Sequence, residues 1–275
     1  AGASWLPPTS PIATTPLIQL NANNVGWAFE NIEFGPPSDD AAIKIVNGGS
    51  GIGSSHHVIR GCMFLGGLIG IEDAGGFHNV LIEEGVWVYP NSTIMGNSVI
   101  KHHAVIGPNS EVVDSIIEAH AEIKHSIVTN SKVGAYTTVG PFAHLRDGAI
   151  IGEHNRIGNF VEVKKSTTGH DTKAAHLSYI GDSVIGDRVN YGCGAITVNY
   201  DGVNKHQTIV GNDVFIGCNV NLIAPIKVED NVFIAAGSTV TEDIPKGALA
   251  IARNKQINKE DYAKNLIQAK EKIKK

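Results

Sequence analysis

Two polar segments hold most of the residues able to do chemistry. KKSTTGHDTKAAHL (164–177) brings Lys164, Lys165, His170 and His176, and VNYDGVNKHQTI (198–209) brings Asn199, Tyr200, Lys205 and His206. A simple turn needs none of these side chains, so the two segments are where a site is expected. His176 is the strongest base among them, because an imidazole titrates near neutral pH and accepts a proton under ordinary conditions. A metal reading also starts from histidines: HAEIKH (120–125) places two of them with four residues between, and three can hold zinc with an open position. That spacing arises easily by chance among 12 histidines.

The frame around these segments has a period of six. Ile94, Ile100, Ile106 and Val112 begin it, and the pattern slips at VVDSIIEAHAEI. Ile127, Val133, Val139, Leu145, Ile151, Ile157 and Val163 then resume it, and Val210, Ile216, Leu222, Val228, Ile234 and Val240 repeat it after the polar segments. Neither a helical period of 3.6 nor strand alternation gives that spacing, whereas a hexapeptide solenoid does. Three successive hexapeptides, each with one short parallel strand, would close a triangular coil with an apolar residue pointing inward from each. The two polar segments read as interruptions of that coil.

Residues 1–90 follow another rule. FENIEF (29–34) and IRGCMF (59–64) are similar units set too far apart for hexapeptide corners, LIEEGVW follows at 81–87, and AAIKI and GLIGI supply further short strands between Gly- and Pro-rich turns. The texture resembles right-handed parallel β-helices of the pectate-lyase and tail-spike kind. Asp39, Asp40, Glu72, Asp73, Glu83 and Glu84 are its carboxylates, better read as solvated turns than as a sugar-cleaving pair. The expected division is therefore 1–90 as right-handed coils, 91–257 as a left-handed parallel β-helix, and 258–275 as a short helical tail. Asn258 is expected to cap that tail and acids to fill its first turn.

Composition agrees with an all-β solenoid: 31 glycines and only 6% aromatic residues suit tight corners better than a helical bundle. A net charge of −5 argues against a nucleic-acid partner. Three distant cysteines suit a reducing compartment, and no apolar run is long enough to span a membrane, so a cytoplasmic location is expected.

Five segments carry a closer resemblance: VGPFAHLRDGA (139–149), IGNFVEVKK (157–165), HLSYIGD (176–182), NYGCGAITVNYDGVNKH (190–206) and ALAIARN (248–254). Together they resemble the C-terminal domain of the bifunctional bacterial enzymes that acetylate glucosamine-1-phosphate and then uridylate the product, over residues 97 to about 262. The resemblance implies a homotrimeric left-handed β-helix using acetyl-CoA as cosubstrate, with no metal needed for acetyl transfer. It implies His176 as general base, with Glu162 beside it either orienting it or serving as a surface charge. Arg146, Lys164, Tyr179, Asn190 and Lys205 would hold the sugar phosphate, and Lys165 reads as solvated. Cys193, Asn199, Tyr200, Cys218, Ala236 and Arg253 would line the acetyl-CoA side, the two cysteines as small side chains and not as nucleophiles. Nothing before residue 90 matches a nucleotide-binding βαβ unit, so uridylation is not expected. Right-handed coils in that place read as a junction of two β-helices, engineered or natural, and a structural chimera without retained activity is the alternative reading.

Overall fold

The computed structural model describes residues 80–273 apart from 84 and 90, together with seven strands between residues 18 and 73. Every ladder between the described strands is parallel. Three columns of strands run the length of the rod. The first face climbs through Thr93–Met95, Glu111–Val113, Ile127–Thr129 and His144–Arg146 to Asn221–Ile223 and Thr239–Val240. The second is an 11-stranded sheet ending at Ile226–Val228, and the third runs from Val105–Ile106 to Phe233–Ile234 and Leu249–Ala250. This is the left-handed parallel β-helix expected from the repeat.

Most of the strands from Leu81 onward send one side chain into the prism. Ile94, Ile100, Ile106, Val112, Leu145, Ile157, Leu222 and Ile234 are wholly buried, each burial worth about 1.5–3 kcal/mol. One expected inward residue is displaced: Ile127 is 43% exposed and Val128 is buried in its place. The cause is a coil shorter than three hexapeptides, seen in the pairing of Glu111 with Ile127, where the sequence pattern slips. Buried hydroxyls satisfy backbone at the tight corners. Ser115 Oγ donates to Val113 O (2.6 Å) and accepts from Ser131 N (3.1 Å).

The first polar segment is not an interruption. Lys173–Gly181 pairs in register with Arg156–Lys164 at seven positions, and Thr167–Thr168 pairs with the second-face strands on either side. It escapes the hexapeptide pattern because its inward residues are Thr168 and Ala174. Asn155 Nδ2 donates to Thr168 Oγ1 (2.8 Å), and the buried Tyr191 pairs with Ala174 from the next coil. The second segment is a true excursion. Its antiparallel bridge between Tyr200 and Lys205 makes a small hairpin, and the paired Ile196 and Asn221 stand further apart along the chain than the paired Glu162 and Tyr179.

The three columns also continue downward from residue 91. Ile94 pairs with Ile71, Ile45 with Ile71 and Leu20 with Ile45; Val99 pairs with Leu81 and Leu81 with Val58. The strand columns therefore run on through residue 90, where the sequence texture suggests a change of coil. What changes near residues 86–93 is coil length. The steps from Leu20 to Ile45, Ile45 to Ile71 and Ile71 to Ile94 are each longer than those from Ile94 to Val112 and Val112 to Val128, and the longer coils hide the period of six. The turns around Asp39 and Asp40, and Glu84, lie outside the described residues.

At the other end, Tyr262–Ile273 forms the expected helix. Asp261, not Asn258, stands immediately before it, its carbonyl accepting from Lys264 N and its carboxylate 2.5 Å from Lys264 Nζ. Glu260 and Asp261 thus precede the first turn, which contains no acid. No described helix is long and apolar enough to cross a membrane.

Candidate active site

Parallel stacking turns residues distant in sequence into neighbours. On the first face Arg146 pairs with Lys164 and Lys164 with Gly181, while His144, Glu162 and Tyr179 form the adjacent row. Arg146 donates to Glu162 through Nε (2.7 Å) and Nη2 (2.6 Å), and Nη1 reaches Asp147 at 2.8 Å. Burial works against the guanidinium charge, but Glu162 and then Asp147 outweigh it and hold the Arg146 pKa above its ordinary value. Lys164 is the most enclosed cation of the group, its side chain 13% exposed, with Nζ 3.8 Å from Asp147. Lys165, by contrast, is 70% exposed and meets only the fringe of Asp182 at 3.5 Å.

The hairpin delivers the third cation. Lys205 lies against Lys164, which lowers its ammonium pKa through direct contact and like-charge repulsion, while Asp182 and Tyr179 oppose that shift. The hairpin is itself tied shut. Asp201 accepts from Asn204 N and Val203 N, each at 2.7 Å, and pairs with His206 Nε2 at 2.6 Å. These bonds, the one to the Asn204 amide first, hold the Asp201 carboxyl well below the usual carboxylate range. Asn199 is buried at the hairpin base, donating to Asp182 Oδ2 (2.6 Å) with Tyr179 Oη at 3.5 Å; Tyr200 is exposed and donates to Gly202 O.

His176 occupies the corner where the third face meets the first. It is paired with Asn159 one coil below, and its Nδ1 lies 2.6 Å from Asn159 Oδ1. The residue after it, Leu177, has φ +43°, and the same left-handed corner recurs at Gly194, Asn219 and Gly237, joined by amide-to-carbonyl bonds from coil to coil. Asn159, His176, Cys193, Cys218 and Ala236 each precede one of these corner residues, or Phe160 at the same place, so they form one vertical row. Three of the residues assigned to the coenzyme side thereby stand directly above the candidate base. Arg253 is exposed beyond the last strand, and Asn190 belongs to the third face, opposite Lys173 and away from the cation cluster.

Sequence reasoning missed two participants. Asn159, quoted only as part of IGNFVEVKK, is the hydrogen-bond partner of His176; Asp182 anchors Asn199. Neither has a spacing signal, because both relations cross a coil. The two histidines of HAEIKH do not face each other: His120 stacks on Tyr136 (4.7 Å) at one corner of the prism, while His125 faces Phe142 (5.9 Å) at another. Among the described residues no three His, Cys, Asp or Glu side chains are arranged to hold a metal ion.

Comparison with known proteins gives a consistent picture. The family model described as bacterial transferase hexapeptide (six repeats) matches residues 79–113, 130–165 and 207–242. Bifunctional protein GlmU of Acholeplasma laidlawii is 65% identical over 195 residues, covering 71% of this chain and 42% of that protein. GlmU of an Exiguobacterium species is 56% identical over 186 residues, covering 68% and 41%. The chain spans about two fifths of the length of these curated relatives. Among solved structures, the UDP-N-acetylglucosamine acyltransferase LpxA of Bacteroides fragilis shares the fold, with a TM-score of 0.50 and 17% identity over 57% of this chain and 68% of that one. By its repeats and these identities, the solenoid carries the hexapeptide pattern of the bacterial transferases over those three stretches and is homologous to part of the bifunctional GlmU proteins.

Proposed function

We propose that the chain transfers the acetyl group of acetyl-CoA to the 2-amino group of glucosamine-1-phosphate. The observation that carries this reading is the convergence of Arg146, Lys164 and Lys205 on the face that begins at His176. From Asn159 or His176 to the row of Glu162 and Tyr179 is three residues around the corner, at most about 10 Å, a span suited to a sugar with its phosphate on the cations and its amine at the imidazole. Guanidinium and ammonium groups supply the fixed charge that a phosphate needs.

In this mechanism the neutral amine attacks the thioester carbonyl carbon directly. His176 Nε2 takes the proton that the amine loses, the tetrahedral intermediate collapses, and CoA leaves as a thiolate that is protonated in turn. No acyl-enzyme is needed, which agrees with Cys193 and Cys218 serving as small side chains along the pantetheine path. Residues of the site are spread over two faces and a corner, with Asn190 and Arg253 apart from the cations. A homotrimer, in which a neighbouring copy closes each open face, accounts for that spread.

Release of CoA thiol from acetyl-CoA, followed with and without glucosamine-1-phosphate, tests the reading. Sugar-dependent release with a one-to-one yield of N-acetylated product supports it. A folded protein giving no sugar-dependent release overturns it.

A further inference from the structure

We propose that Asn159 is the positioning residue that makes His176 a base, by holding the imidazole in the tautomer protonated at Nδ1. The role rests on the acetyl-transfer reading, but the tautomer itself does not. At 2.6 Å, Asn159 Oδ1 is within strong hydrogen-bond distance of Nδ1, and an amide oxygen only accepts. Nδ1 must therefore carry the proton, which leaves Nε2 with its lone pair free to take another. A neutral amide does this differently from a carboxylate. It fixes the ring without a negative charge that would draw the imidazole toward its protonated, non-basic form.

The approach of the two coils is built for this contact. Gly158 precedes Asn159, and a Cβ there would run into the backbone carbonyl of Ala175, the residue before His176. Only glycine lets Asn159 come this close beneath the ring. The titratable groups around His176 are Cys193 one coil above, in the same row, and Glu162, Tyr179 and Lys164 along the first face. Glu162 is engaged by Arg146, so Asn159 takes the orienting part that the sequence had offered to Glu162.

Nitrogen-15 spectra of the His176 ring in the substrate-free protein, together with pH–rate profiles of Asn159→Ala and Asn159→Asp, test the proposal. The parent protein is expected to show protonated Nδ1 and bare Nε2 above the imidazole pKa. Asn159→Ala should lose that tautomer preference and about 10- to 100-fold in kcat, with the KM for sugar phosphate nearly unchanged. Asn159→Asp, of the same shape, should keep the tautomer but move the acid limb of kcat/KM upward by about one pH unit, because a carboxylate raises the imidazole pKa. A parent protein protonated at Nε2 overturns the proposal, as does an unmoved acid limb in the Asp variant. Since the spectra need no substrate, they stay readable if the protein proves inactive on glucosamine-1-phosphate.

Discussion

Arg146 and Glu162, one coil apart on the first face, are joined through two guanidinium nitrogens that converge on a single carboxylate oxygen, at 2.7 and 2.6 Å. The pair fixes the plane of the guanidinium and leaves Nη1 on Asp147, a more exposed carboxylate. Glu162 thus acts on the cation cluster.

Replacing Arg146 by Ala removes a charged donor from a half-enclosed cluster. The KM for glucosamine-1-phosphate should rise by about 10- to 100-fold, with acetyl-CoA affinity little changed. Lys205→Ala should follow the same pattern more weakly, as befits an exposed side chain. Glucosamine without phosphate is the control; an equal loss on both sugars would remove these residues from phosphate binding.

Crowding of Lys164 against Lys205 predicts proton uptake. Lys205 has its pKa lowered in the free protein, so between that lowered value and the ordinary value of 10.5 it is partly neutral. A bound phosphate dianion offsets the repulsion and returns the pKa upward, so binding in that alkaline window should draw a proton from solution. Calorimetry in buffers of different ionisation enthalpy measures it, and Lys164→Ala should abolish it.

His176→Ala should lower turnover by about 100- to 10,000-fold while acetyl-CoA still binds. His176→Asn should do no better, because an amide keeps a hydrogen bond but has no basic lone pair near neutral pH. The residual rate should climb toward the pKa of the substrate amine. Near-normal turnover with an unchanged pH profile in the Asn variant would exclude His176 as the base.

Gly158→Ala forces a methyl group onto the Ala175 carbonyl. The expected cost is about 1–3 kcal/mol, as for other overpacked interiors, seen as a lower Tm, along with reduced kcat because the Asn159–His176 contact opens. A melting temperature equal to the parent's would show that the coils separate freely at this point.

Light scattering at micromolar concentration should find three copies per particle. A monomer with full activity would mean that one chain completes the site.

The core was legible because the fold writes it locally. Val133, Val139, Leu145, Ile151, Ile157 and Val163 fall at a fixed spacing and are all buried. The pattern failed where an inward place is filled by Thr168 or Ala174, which carry no hydrophobic signal, and where a short coil moves burial from Ile127 to Val128. It failed before residue 90 because longer coils have no such period. For the site, polar type alone marked His176, Lys164 and Lys205, and the resemblance supplied Arg146, Glu162 and Tyr179. Asn159 and Asp182 stayed hidden because their partners lie a coil away, at separations that depend on the length of each turn.

The hairpin at residues 199–206 enters and leaves the rod without disturbing the ladder, since Ile196 still pairs with Asn221 and Ile185 with Val210. Length added beyond its buried base, Asn199, leaves the inward residues of the neighbouring coils in place. The hairpin tip can therefore be exchanged for one of different length and charge, which under the proposed function would retune the choice of anionic sugar, while the melting behaviour of the rod stays where its neighbouring coils set it.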